Sequence, residues 1–395
     1  MKLGTIDIEK IYVGSNEIEK GYVGSSMVYE ENSGPDYTEP FYVEDISGNS
    51  NTVTIKTNGS STPALTIYKS TDKVNWSSMG TTSKTGITAT VPSNGKLYLR
   101  CSTNAWGSSS YYATISCSYQ FNVGGNIMSL LYGSSFTGEE TAFPSVTNYA
   151  LSYLFNDATT LVSAENLLLP ATTLANYCYY YLFQGCTSLT TAPALPATSL
   201  APYCYRNMFT GCTSLTTAPA LQATTLADHC YRSLFQGCTS LTTAPELPAT
   251  TLTSYCYSGM FNGCTSLTTA PELPATTLTY SCYDNMFYDC TSLTTAPELP
   301  ATTLAPYCYN VMFNGCSSLN YIKVGFTAWP NLNSSSASNY RATYQWTKLT
   351  RNTTGTFVCP SALSQQFNAS GNNATGTSIA GYSNAIPYGW TVQTF

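Results

Sequence analysis

The chain has 395 residues, of which only 9% are charged, and carries a formal net charge of −6 at neutral pH. Average globular proteins hold ~25% charged residues, and no lysine falls between Lys96 and Lys323. The basic footprint that nucleic acid requires is therefore missing, and no apolar run approaches the ~20 residues of a membrane-spanning helix.

The length leaves room for two or three domains. The first 30 residues hold a small repeat: Glu9-Lys10-Ile11-Tyr12-Val13-Gly14-Ser15 returns as Glu19-Lys20-Gly21-Tyr22-Val23-Gly24-Ser25. Apolar and polar residues alternate around Gly-Ser turns, which predicts short strands. Such a ribbon cannot build a core alone. It either folds onto the next domain or anchors the chain in a larger assembly through Tyr12, Val13, Tyr22 and Val23. The opening Met1–Asp7 has no apolar h-region, so export on a secretory signal is not expected. The ribbon resembles the N-terminal segments of tailed-phage virion proteins, particularly those of crAss-like gut phages. That resemblance implies a virion location, other virion proteins as partners through the ribbon, and a homo-oligomer, dimeric or trimeric.

Residues 1–34 thus form the anchor, with Glu30–Pro40 a linker by composition. Residues 35–124 contain β-patterned runs at Asn51–Thr57, Ala64–Lys69, Ile87–Val91, Lys96–Arg100 and Tyr111–Val123. Their spacing and turn residues predict an Ig-like β-sandwich. Cys101 and Cys117 are read as thiols, and Trp76 as a core residue with a sugar platform as the alternative.

Residues 125–320 are organised by a 26-residue period. Cys178, Cys204, Cys230, Cys256, Cys282 and Cys308 recur at that spacing, each followed eight residues later by Cys186, Cys212, Cys238, Cys264, Cys290 or Cys316. A fixed period of this size signals stacked units that bury their apolar faces on one another. Leu304, Cys308, Met312 and Cys316 lie four apart, predicting a short helix in each unit, from which Phe313 departs. Leu293–Leu299, broken by Pro297, predicts a short strand. Asn126–Phe143 should cap the first, degenerate copy at Tyr149–Leu161, and residues 321–395 should close the far end. The wording Phe261-x-Gly263-Cys264-x-Ser266-Leu267 resembles the BspA-like class of leucine-rich repeats. The fold class expected is therefore mainly β with short helices: a β-sandwich followed by a leucine-rich-repeat solenoid. The resemblance implies surface recognition and no catalysis.

The cysteines lack the close Cys-x-x-Cys spacing of metal sites, and His229 is the only histidine. Ala150 and Ala158 replace both cysteines of the first copy. Alanine stands in for a small buried thiol, not for a ligand or a bridge partner, so the thiols are read as buried and free. Glu246, Glu272 and Glu298 recur at the period. They are read as a solvated acidic stripe, with a bound cation the alternative, since calcium wants six or more oxygens. No triad, phosphate loop or supported carboxylate pair suggests an enzyme, and no cofactor or metal is expected. The copies differ at Asn176, Tyr180, Arg206, Asn207, Asp228, His229, Arg232 and Asp284. Of these, Arg206, His229 and Arg232 are the candidate contacts for a host surface glycan or protein. A phage head or tail fibre is the function expected. A BspA-type cell-surface adhesin, a spacer or decoration protein, and a glycan-active enzyme are the competing readings.

Overall fold

The computed structural model describes residues 35–60, 64–102, 106–144, 148–330, 338–348, 354–365, 386–387 and 389–395, plus the backbone of strands within 2–31. The described fold is mainly β, with only two short α-helices.

At the N-terminus, β1 (Lys2–Leu3) pairs with β2 (Ile6–Asp7), and β3 (Ile11–Val13), β4 (Asn16–Val23) and β5 (Ser26–Glu31) form an antiparallel sheet. The two copies of the decapeptide become neighbouring strands. Tyr12 and Val13 lie opposite Glu17 and Asn16, while Tyr22 and Val23 lie opposite Met27 and Ser26. The Gly-Ser turns and the anchoring side chains lie outside the described residues.

Next come β6 (Tyr42–Asp45), β7 (Asn51–Gly59), β8 (Thr66–Ser70), β9 (Ser77–Thr81), β10 (Ile87–Val91), β11 (Lys96–Cys101), β12 (Tyr111–Cys117) and β13 (Phe121–Asn126). One sheet has the order β10-β7-β12, the other β9-β8-β11-β6-β13. Alternate residues of β7 and β12 are buried, the period-2 pattern of a sheet with one face on a core. The run expected as one strand over Tyr111–Val123 is broken at Ser118–Gln120. There the buried Asn51 amide donates to the carbonyls of Tyr119 and Gln120, both at 3.2 Å, and pins the turn. Trp76 is not a core residue. It sits half-buried at the surface, its indole N–H bonded to Lys73 O and the Arg100 guanidinium 4.2 Å from its ring. Trp106 fills the core instead, 1% exposed and donating to Leu130 O.

The second sheet does not stop at the domain edge. β13 pairs in parallel with β14 (Leu161–Ser163) and β15 (Leu167–Leu168) of the first copy. Between them, α1 (Ser129–Tyr132) buries Leu130 and Leu131, and the Ser129 hydroxyl accepts from Phe41 N–H and donates to Leu99 O. Phe41 packs on Phe155 and Tyr112 stacks on Tyr153 at 4.4 Å. The expected cap at Asn126–Phe143 thus shares its task with the whole preceding domain. One continuous apolar core runs from Phe41 to Trp390.

The repeats contain no helix among the described residues, which corrects the expectation from the four-residue spacing. Each copy is a ribbon of consecutive β-turns. Cys178, Tyr180, Leu182, Gln184 and Cys186 donate their N–H to the carbonyl three residues back. The intervening Tyr177, Tyr179, Tyr181, Phe183 and Gly185 donate to Pro202, Cys204, Arg206, Met208 and Thr210 of the next copy. Every second turn has a positive φ at its third residue, as type II turns require: Tyr177 at 58°, Tyr181 at 56°, Gly185 at 71°. A period of four rather than 3.6 turns two adjacent residues inward at each step. Tyr309 and Phe313 are therefore buried alongside Cys308 and Met312, and the misfit of Phe313 disappears. The predicted strands reduce to isolated parallel bridges such as Thr295–Tyr321 and Leu299–Val324, because Pro297 lacks a donor.

At the far end the ribbon continues where the sequence period is lost. Tyr307, Tyr309, Val311, Phe313 and Gly315 donate to Tyr340, Ala342, Tyr344, Trp346 and Lys348. Residues 339–348 therefore form one more copy, and Ala342 again occupies a cysteine position. A parallel sheet of β16 (Tyr321–Lys323), β17 (Thr356–Cys359) and β18 (Thr391–Thr394), flanked by α2 (Ser361–Gln365), closes this end.

Candidate functional site

Stacking the copies turns each sequence position into a column. Two aromatic columns are interior: Tyr179, Tyr205, Tyr231, Tyr257, Tyr283 and Tyr309, and Phe155, Phe183, Phe209, Phe235, Phe261, Phe287 and Phe313. The tyrosines identical in every copy are at most 1% exposed, so they serve packing. Both cysteine columns are buried and free of disulfides, as are Cys101 and Cys117. Burial pushes the thiols of the two repeat columns well above the ordinary range. The second cysteine of each copy also has a hydrogen-bonding task. The Cys238 thiol donates to Phe209 O at 3.2 Å, and Cys186, Cys212, Cys264, Cys290 and Cys316 make the equivalent bond.

A third aromatic column lies at the surface and was not recognised from the sequence. Tyr149, Tyr177, Tyr203, His229 and Tyr255 stack face to face at 4.2–4.5 Å. Each of these residues has a positive φ, between 57° and 67°. That conformation is costly for a bulky side chain, and stacking against the next ring is what offsets it. His229 is thus a rung of a ladder. Burial, then Arg232, then Arg206 pull its pKa down to about 4, so the ring is neutral and aromatic at pH 7.

Beside this ladder runs a variable column: Tyr180, Arg206, Arg232, Ser258, Asp284 and Asn310. The three residues expected to act together do lie in one strip, but they engage different partners. Arg206 leans back over Tyr180 and Tyr203, at 5.7 and 5.6 Å, and its Nε donates to Asn207 Oδ1. Arg232 leans forward, its guanidinium 5.1 Å from the Tyr255 ring. Asp228 is exposed and accepts from Ser254 N–H of the next copy, Asn207 is buried, and Asn176 is half-buried. Asp284 is held differently from all of these. Burial raises its pKa to about 6, against the opposing pull of Asn310, Arg232 and Asn285.

The acidic stripe is solvated: Glu246, Glu272 and Glu298 are exposed, and Glu298 pairs with Lys323 at 2.8 Å. No group of three or more His, Cys, Asp or Glu side chains among the described residues is arranged to hold a metal. None of the described helices is long and apolar enough to cross a membrane. No protein family, curated protein or solved structure matches the chain.

Proposed function

We propose that this chain is a non-enzymatic virion protein, a head or tail fibre, in which a leucine-rich-repeat-type solenoid of BspA-like wording displays a recognition surface. In this reading the N-terminal ribbon joins other virion proteins, the β-sandwich serves as a collar, and the repeats meet the host. The observation that carries it is the contrast between columns. Positions that pack the core keep one residue or exchange only Leu for Met, whereas the largely half-buried column from Tyr180 to Asn310 carries a different chemistry at nearly every copy. A core that merely needed spacing would not require that variety. Backbone bonding from each copy to the next supports a rigid face, and rigid presentation lowers the ordering cost of binding. The face is rich in tyrosine and hydroxyls, which suits neutral polar ligands such as a glycan or a host surface protein.

Two measurements test the reading. A fragment spanning residues 35–395 should bind host bacteria and compete with whole particles, and deletion of residues 1–34 should leave a folded protein that no longer joins the particle. If the fragment binds no host surface, the array is a spacer. If the truncated chain still assembles normally, the anchor lies elsewhere.

A further inference from the structure

Arg206 and Arg232 are the only basic residues between Arg100 and Lys323, and they stand in the same column of adjacent copies. Acidic residues outnumber them over that span, yet neither arginine forms an ion pair among the described residues. The stack does not require them, since the same column holds Tyr180, Ser258, Asp284 and Asn310 in other copies. Each guanidinium is set against tyrosine instead. Arg206 lies 5.7 Å from the Tyr180 ring and 5.6 Å from that of Tyr203, and Arg232 lies 5.1 Å from the Tyr255 ring. Contact with a ring holds a guanidinium in place without using its N–H groups, five donors in a planar fork. One of these donors is spent, Arg206 Nε–H on Asn207 Oδ1 at 3.2 Å. The Nη groups of Arg206 and the whole fork of Arg232 have no partner among the described residues, and none of these nitrogens is buried, so they meet solvent.

Tyr203 and Tyr255 are the rungs on either side of His229, at 4.4 and 4.5 Å from it. The two arginines therefore flank the imidazole, and their positive field reaches it. After burial, Arg232 and then Arg206 are what lower its pKa to about 4, with Asp228 opposing them. Asp284 also feels Arg232, but its Oδ1 takes the amides of Asn285 and Asn310 at 2.7 Å and it forms no ion pair. Two cations of one column, held by rings and open at their forks, lack a counter-charge of their own.

We infer that Arg206 and Arg232 bind the anionic groups, carboxylate or phosphate, of an acidic polysaccharide lying on this face, one group to each guanidinium. A planar fork matches the oxygens of a carboxylate or phosphate two at a time. The surrounding array is nearly uncharged and rich in hydroxyls, which suits the sugar units between the charges. A protein partner would need an apolar anchor point, and among the described residues from 148 to 320 Tyr280 is the only large hydrophobic that is exposed. The inference rests on the recognition reading and narrows it to one charge class of ligand and two side chains.

The test uses the full chain with two pairs of probes, oligogalacturonate and its methyl ester, and a phosphorylated mannan oligosaccharide and its dephosphorylated form, alongside intact host bacteria. The chain should bind an acidic probe at least tenfold more tightly than its neutral counterpart, and the pair that responds tells carboxylate from phosphate. R206Q and R232Q should each weaken that binding about tenfold, the worth of a charge-assisted hydrogen bond. R206K keeps the charge without the fork and should restore only part of it. R100Q, which removes the guanidinium over Trp76 in the sandwich, should stay within twofold of the unaltered chain. His229 is the only histidine, so its imidazole NMR resonance reports on this place alone. An anion seated on the arginines offsets their field, so the His229 pKa should climb from about 4 with the acidic probe and hold with the neutral one. Should either variant fail to fold, the probe pairs and the His229 titration of the unaltered chain decide. Equal affinity for acidic and neutral probes, or a His229 pKa that does not move, refutes the site while recognition stands. If the chain attaches to bacteria but to no probe, protease-resistant attachment that both variants lose supports the site. Attachment that the variants keep, or that protease treatment of the cells abolishes, refutes it. A chain that binds neither probes nor bacteria removes the recognition reading as well.

Discussion

The inner and outer tyrosine ladders are built from the same residue at the same period, yet they behave differently. Inside, six tyrosines stack with centroids 5.7–6.0 Å apart and planes within 9° of parallel, without a substitution in the six full copies, Leu151 and Thr343 taking the position only at the two ends. Outside, the rings approach to 4.2–4.5 Å, accept a histidine in one copy, and then break at Ser281. The inner ring is fixed by close-packed neighbours on every side, where any change of volume is felt. The outer ring meets water along one edge, so the column tolerates replacement. A repeat protein can vary its surface in this way without disturbing its stack.

The most direct way to break that comparison is to truncate one rung of each ladder. Tyr231→Ala should cost about 3–5 kcal/mol, the range for losing a large aromatic side chain from a core. Tyr203→Ala should cost about 1 kcal/mol, the value of an aromatic pair at a wetter site. Urea denaturation of the full chain measures both. Equal losses would mean that the outer ladder is structural in the same sense as the inner one. Within the inner ladder, the hydroxyls of Tyr179 and Tyr257 are buried without a partner. Tyr257→Phe should therefore be neutral or stabilising by about 1 kcal/mol, because it removes an unsatisfied group.

The cysteine columns sharpen the comparison further. All fifteen cysteines are buried and free, so thiol reagents should label the native chain slowly and reach fifteen groups after denaturation without reductant. A plateau well below that would reveal disulfides. The two columns should also differ from each other. Cys230→Ala removes a small apolar group, whereas Cys238→Ala also takes the donor from Phe209 O. The second substitution should cost about 1 kcal/mol more.

The period and the chemistry of its columns were legible from the residues alone, and the local backbone was not. A spacing of four between Leu304, Cys308, Met312 and Cys316 suits a helix and a turn ribbon equally well, and apolar periodicity cannot separate them. The separating signal lay in the polar text. Asn207 and Gly211, Ser233 and Gly237, and Asn285 and Asp289 place residues tolerant of positive φ four apart, which is turn chemistry and not helix chemistry. The tyrosines and His229 that share this conformation concealed it, because bulky residues rarely adopt it. The copy at residues 339–348 was hidden for another reason. An insertion displaces it from the period, and its bonding to Tyr307–Gly315 is visible only in three dimensions. The three residues picked as a contact cluster fall in adjacent columns, Arg206 and Arg232 in one and His229 in the ladder beside it. Sequence variation could not tell that Arg206 leans back over Tyr180 and Tyr203 while Arg232 leans forward over Tyr255.

A last expected effect concerns protons, and it separates the ladder from the variable column beside it. His229 has a folded pKa of about 4 against an ordinary 6.5, because burial and two arginines disfavour its cation. The unfolded chain therefore binds more protons between those values, so the His229 contribution makes stability rise with pH across that window. Asp284 runs the other way. Its folded pKa of about 6 lies above the ordinary 3.8, so the folded chain binds more protons and stability falls as pH rises from about 4 to 6. In the intact protein the two contributions oppose each other through the same range. Replacing His229 by the tyrosine of its neighbours should remove the rising component, so H229Y loses stability relative to the unaltered chain as pH increases from 4 to 6. D284N should gain relative stability over the same interval. Urea midpoints at pH 4, 5, 6 and 7 give the two difference curves, whose slopes must have opposite signs. Parallel slopes would mean that either the imidazole is not shielded within the ladder or the carboxyl is not buried beside Asn285 and Asn310, and the variant whose slope is wrong identifies which.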